Sequence, residues 1–187
     1  MNENDFRTVA LKRADANFTT APRSTMIKVV TWIVVVVFAA VVVLPLWQKL
    51  PARILWTILV ADACVILILV AVWFASRIRV ITISGQTLSI KMTFWTTVFD
   101  LAGLRSVELN PDAFKGSLRS FGNGGLGAFH GYFYSKRMGK FRGYVTDANR
   151  AVVLRWEEPA KCVVVSPKDT EFFIEEVCKR TGARRQN

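Results

Sequence analysis

The sequence predicts an α+β protein: a two-helix transmembrane hairpin, then an antiparallel β-barrel or sandwich with a C-terminal helix. Three observations predict it. Two apolar runs, residues 29–48 and 54–76, lie back to back, split only by the basic turn 49–53. From Arg79 the apolar period drops to two, the period of a half-buried strand. After residue 165 helical spacing returns, opened by Ser166-Pro167-Lys168-Asp169 and followed by Gly182.

As a helix, each apolar run reaches roughly 30 Å, the thickness of a bilayer core. The first run is too long for a signal peptide, and a second follows it directly. The expected division is a cytoplasmic N-terminal tail over 1–27, the hairpin over 28–76, a β domain over 77–181 and a basic tail over 182–187. Four of the six tryptophans bracket the hairpin. Trp32 and Trp73 are expected at one interface and Trp47 and Trp56 at the other, where an apolar ring with a polar N–H is best accommodated. Arg7, Lys12, Arg13, Arg23 and Lys28 precede the first run, and Arg77, Arg79 and Lys91 follow the second. The turn holds Lys49 and Arg53. The positive-inside rule therefore places both termini and the β domain in the cytoplasm, on a multi-pass protein of the inner membrane.

Asp62 is the one ionisable residue inside either run. Charged at that depth, it costs about 2.5–3.5 kcal/mol on insertion scales. It reads either as a structural or self-association contact or as part of a proton or ion path.

The chain has 187 residues and a formal net charge of +11. Residues 77–187 carry 18 Lys/Arg against 10 acids, which suits the anionic cytoplasmic leaflet. Nucleic acid is not expected as a partner, because no recognition motif accompanies the charge. Cys64, Cys162 and Cys178 form neither a C-x-x-C pair nor a disulfide framework, and no metal site or cofactor is expected.

Within the β domain, residues 80–84 and 88–92 alternate about a Gly85-Gln86 turn and predict a hairpin. Further strands are expected over 95–99, 104–109, 129–134, 140–145, 151–156 and 161–165. In the final helix, Ser166 is the expected cap, Pro167 the first position, and Phe173, Ile174, Val177 and Cys178 the apolar face.

Strands followed by one C-terminal helix is the pleckstrin-homology order. The stretch 119–133, Arg-Ser-Phe-Gly-Asn-Gly-Gly-Leu-Gly-Ala-Phe-His-Gly-Tyr-Phe, resembles the signature of a bacterial PH-like domain membrane protein family. So do Tyr144-Val145-Thr146-Asp147, Val152-Val153-Leu154 and the run 164–169. The resemblance covers roughly residues 78–180. It implies a PH-like barrel or sandwich, self-assembly and no general enzymatic activity.

Arg119, Phe121, Gly122, Asn123, Gly124, Gly127 and Gly131 form a candidate interaction loop, read either as a phosphate cradle or as a tight turn and bulge with close backbone packing. Arg77, Arg79, Lys136, Arg137, Lys140 and Arg142 are candidate anionic-lipid contacts. The loop after the first strand, 84–87, has no cation, so phosphoinositide binding does not carry over from the resemblance. His130 is the lone histidine, and no nucleophile motif accompanies it. The expected function is a non-enzymatic, membrane-anchored interaction or scaffold module that self-associates. Its expected partners are the bilayer, further copies of the chain and another protein. The alternatives are an anionic-lipid or headgroup binder and an oligomeric channel or transporter subunit using Asp62.

Overall fold

The computed structural model describes residues 15–47, 51–124, 128–157 and 161–186. Helix α1 (Thr25–Trp47) and helix α2 (Ala52–Ala75) follow the apolar runs and pack against each other. Helix α1 starts inside the segment expected to be tail. The Ser24 hydroxyl accepts from the Ile27 N–H at 3.5 Å, and the Ser24 N–H donates to the Thr146 carbonyl at 3.1 Å. Helix α2 is long and apolar enough to cross a membrane, whereas the apolar stretch described in α1, Ile27–Val41, is shorter. No residue of α2 is buried. Its C-terminal carbonyls are closed by the β domain, since the Thr93 hydroxyl donates to the Phe74 carbonyl at 2.8 Å.

Strands β1 (Ala16–Thr19), β2 (Ile78–Ser84), β3 (Thr87–Met92) and β4 (Thr96–Asp100) form an antiparallel sheet in chain order. Strand β1 comes from before the helices and pairs with the strand directly after them, Ala16 opposite Ile83 and Thr19 opposite Val80. The expected N-terminal tail is therefore part of the β domain over these residues.

The second sheet holds β5 (Leu104–Leu109), β6 (Leu118–Gly124), β7 (Phe129–Ser135), β8 (Gly139–Val145), β9 (Val152–Trp156), β10 (Lys161–Val165) and β11 (Arg184–Gln186). Its order is β11-β5-β9-β10-β8-β7-β6. The expectation of a purely antiparallel structure needs correction, because β10 pairs parallel with β8 and β11 parallel with β5. After β8 the chain crosses over through a 3-10 turn (Ala148–Arg150), and the antiparallel β9–β10 pair returns with β10 beside β8. The expected basic tail supplies β11.

Helix α3 (Thr170–Thr181) buries Phe173, Ile174 and Val177. Its cap is Asp169, which accepts from the Phe172 N–H at 3.2 Å, and not Ser166. Ser166 is buried instead, with its hydroxyl accepting the Thr146 N–H at 2.8 Å, and Pro167 bridges to Thr20. Gly182 ends the helix in the left-handed region, donating its N–H to the Cys178 carbonyl at 2.8 Å.

The main core lies between the two sheets and α3, with Ile81, Ile83, Leu88, Ile90, Leu154, Val163 and Phe173 inaccessible to solvent. A second cluster covers the opposite face of the larger sheet, where Phe133, Phe141, Val153 and Val164 meet Phe114. Strands β9 and β10 are thus buried on both faces, which is why they read as near-continuous apolar runs and not as alternation. Residues 19–24 join the sheets. Thr19 and Ala21 exchange backbone hydrogen bonds with Lys168 and Ser166, and the buried Thr146 hydroxyl donates to the Ala21 carbonyl at 2.7 Å.

Burial pushes the Cys162 thiol up from its ordinary value of 9.0 to about 11, against the opposing charge of Arg155. The folded state then holds this proton more tightly than the unfolded state. As pH rises above 9 the unfolded thiol ionises first, so stability falls through the window from 9 to about 11. The expected loss by the top of that window is roughly 2 kcal/mol. Denaturant midpoints measured against pH should show this component in the wild type and not in Cys162→Ala.

Candidate functional site

The expected interaction loop is largely an edge strand. Leu118–Gly124 is β6, hydrogen-bonded along one side to β7 with a bulge between Arg119 and Phe121. Arg119, Phe121, Gly122, Asn123 and Gly124 lie on that strand, Gly131 lies on β7, and Gly127 lies outside the described residues. The glycine-rich composition is explained by close backbone approach. Gly122 faces Gly131 at φ of 111° and 129°, and a Cβ on either would stand 2.2–2.3 Å from a carbonyl oxygen of the opposite strand. Along one side the backbone of β6 is engaged in the ladder with β7. Phe121 is 76 % exposed and Leu118 72 % exposed, so the strand offers an apolar outer surface.

His130 on β7 shares a cavity of about 360 Å³ with Arg119, Gly122, Trp95 and the end of α2 at Val72, Ala75 and Ser76. Burial lowers its pKa, and its Nδ1 has no hydrogen-bond partner among the described residues. The described lining contains no carboxylate to orient the imidazole. Among the described residues no group of three His, Cys, Asp or Glu could hold a metal ion. Asp62 is partly covered, and its Oδ2 is buried without a hydrogen-bond partner among the described residues.

The candidate lipid contacts divide into two groups. Lys136 and Arg137 sit exposed in the β7–β8 turn, with Lys140 exposed just beyond it. Arg142 is half-buried, its guanidinium 4.9 Å from the Tyr132 ring and 5.3 Å from the Phe99 ring. Lys161 lies 4.7 Å from the same Phe99 ring, and burial followed by the Arg142 charge lowers its pKa.

Arg77 and Arg79 lie elsewhere, where α2 passes into β2. There they are joined by Arg23, which the sequence reading counted only toward topology. The three arginines, with Thr20 and Thr146, line a cavity of about 500 Å³. The guanidinium of Arg77 sits 4.0 Å over the Trp73 ring and that of Arg23 sits 4.8 Å over it. Trp73 is thus a shared platform for two cations. Trp32 and Trp56 are 69 % and 68 % exposed, while the side chain of Trp47 lies outside the described residues. Burial, and then the charge of Arg77, holds Arg23 below its ordinary pKa. Among the described residues no carboxylate pairs with any of the three arginines.

Two β-sheets enclosing a core, with one C-terminal helix packed against it, define the PH-like class of interaction domains. The family model of the bacterial PH domain matches residues 79–181, and the chain belongs to that family. No curated protein and no solved structure matches it.

Proposed function

We propose that the chain is a membrane-anchored PH-like interaction module of the cytoplasmic membrane, with both termini and the β domain on the cytoplasmic side. It works by position and self-association and not by catalysis. The observation that carries this reading is the pairing of β1 with β2 across the helix pair. The segments that enter α1 and leave α2 are neighbours in one sheet, so the outer ends of both helices are tied to the same side. An apolar helix with no buried residue finds suitable surroundings in lipid, where its backbone is satisfied internally. The basic residues beside those ends favour the anionic leaflet. Asp62, the one ionisable residue inside either apolar run, supports contact between copies, because carboxyl groups on neighbouring helices can hydrogen-bond to one another.

The test is protease access to an epitope at each terminus in sealed vesicles, with particle mass measured in nanodiscs. Both epitopes should be cleaved in inverted vesicles and both protected in right-side-out ones. Cleavage of only one, or release of the protein by alkaline carbonate, would overturn the anchor. A monomer mass would overturn self-association.

A further inference from the structure

We propose that Arg23, Arg77 and Arg79 form a phosphate-binding site at the junction of the helices and the β domain. The inference deepens the membrane-anchored reading by naming a ligand chemistry for one cavity of this surface. Three arginines line a cavity of about 500 Å³, two of them with guanidinium groups over the same Trp73 ring, and among the described residues no carboxylate pairs with them. Like charges held together are costly, and the depressed pKa of Arg23 beside Arg77 reflects that cost along with burial. A bound anion removes the repulsion.

Donors are available as well as charge. The Nε of Arg77 is buried without a hydrogen-bond partner among the described residues, so its N–H reaches a ligand only when the side chain shifts. The hydroxyls of Thr20 and Thr146 already donate to the carbonyls of Ile78 and Ala21, so guanidinium N–H groups are left to do the binding. Guanidinium forks match the paired oxygens of a phosphate, and the Trp73 ring restrains two of the forks before any ligand arrives. The three arginines come from both ends of the helix pair: Arg23 precedes α1, while Arg77 and Arg79 follow α2. The site therefore exists only when both ends are held together by β1 and β2. If the helices span a bilayer, it lies at headgroup depth, where lipid phosphate is concentrated. A soluble phosphate compound offers the same group from the aqueous side.

The experiment uses the full chain in neutral detergent, so its outcome does not depend on whether the helices span a membrane. Native mass spectrometry and thermal unfolding follow the addition of phosphatidylglycerol, phosphatidylcholine or inorganic phosphate. Wild type should retain phosphatidylglycerol in preference to phosphatidylcholine and unfold at a higher temperature with it. Arg23→Gln/Arg77→Gln should weaken retention by about tenfold or more, the value of one charge-assisted hydrogen bond. Arg79→Gln, at an exposed position, keeps the test valid if the double variant does not fold, and should weaken retention without lowering unligated stability. Lys115→Gln, at an exposed cation outside both groups of candidate lipid contacts, should leave retention unchanged. An equal shift with inorganic phosphate alone, lost in the arginine variants, would support the site with a soluble source. Equal retention of both lipids, or retention unaffected in every arginine variant, would overturn the proposal. The epitope test above can fail while this one succeeds, and the reverse.

Discussion

Gly131→Ala should lower the stability of the protein by roughly 2–4 kcal/mol and open the β6–β7 edge. The added Cβ would stand 2.2 Å from the Phe121 carbonyl oxygen and 2.8 Å from the Gly122 Cα, both backbone atoms that cannot rotate away. The residue would also be held at φ of 129°, where side chains are strained. Gly122→Ala meets the same obstacle from the other strand, with the His130 carbonyl oxygen 2.3 Å away. Gly116 supplies the control. Its φ of 66° is also positive, but a Cβ there meets nothing within 4 Å, so Gly116→Ala should cost only about 1 kcal/mol. Thermal unfolding of the full chain gives the magnitude, and amide exchange over 118–124 and 129–135 gives the location. Unchanged exchange in Gly131→Ala would refute the close approach of the two strands.

Phe18→Ala should cost about 3–5 kcal/mol, as large as a central core deletion. Phe18 is 5 % exposed and packs edge-on to Phe173 at 5.1 Å, with Phe172 at 5.5 Å. Its loss leaves a hole beneath α3 and loosens β1, the strand that ties the entry to α1 to the β domain. For a domain of this size the fall in Tm is on the order of 10–20 °C. Phe172→Ala, at a residue 52 % exposed, should lower Tm much less. Equal effects of the two substitutions would show that β1 is not anchored in the core.

Phe18 also shows where local pattern stops being informative. Residues 16–19 contain only one large apolar side chain, too little for a strand signal. Their strand character comes from β2, whose open edge supplies the hydrogen bonds once the two helices bring Ala16 opposite Ile83. Strand β11 is a parallel case, a short polar segment given its conformation by β5. Strand β6 was hidden for another reason. Its glycines suggested a loop, whereas in the fold they permit two backbones to approach where no Cβ fits. By contrast, Leu104–Leu109 and Lys161–Val165 carry their own apolar, β-branched signal, and their ends match the reading from sequence. Ser166 shows the limit of cap signals, since its hydroxyl had a better-placed donor in the Thr146 N–H than any at the start of α3.

The candidate site divides along the same line. Arg77 and Arg79 were legible because they directly follow an apolar run, where cations meet anionic lipid. Arg23 was not, because its partners are 54 and 56 residues away in sequence. The chain by itself determined the two apolar helices, the β-rich domain behind them, its closing helix and the charge that suits an anionic surface. Each follows from short-range periodicity and composition, which any segment carries within itself. Only the tertiary structure decided that the segment before the helices joins the sheet after them, that β8 and β10 run parallel, and that three arginines share one cavity. Those outcomes depend on hydrogen bonds and packing between residues tens of positions apart, and no local pattern encodes which distant edge will be open.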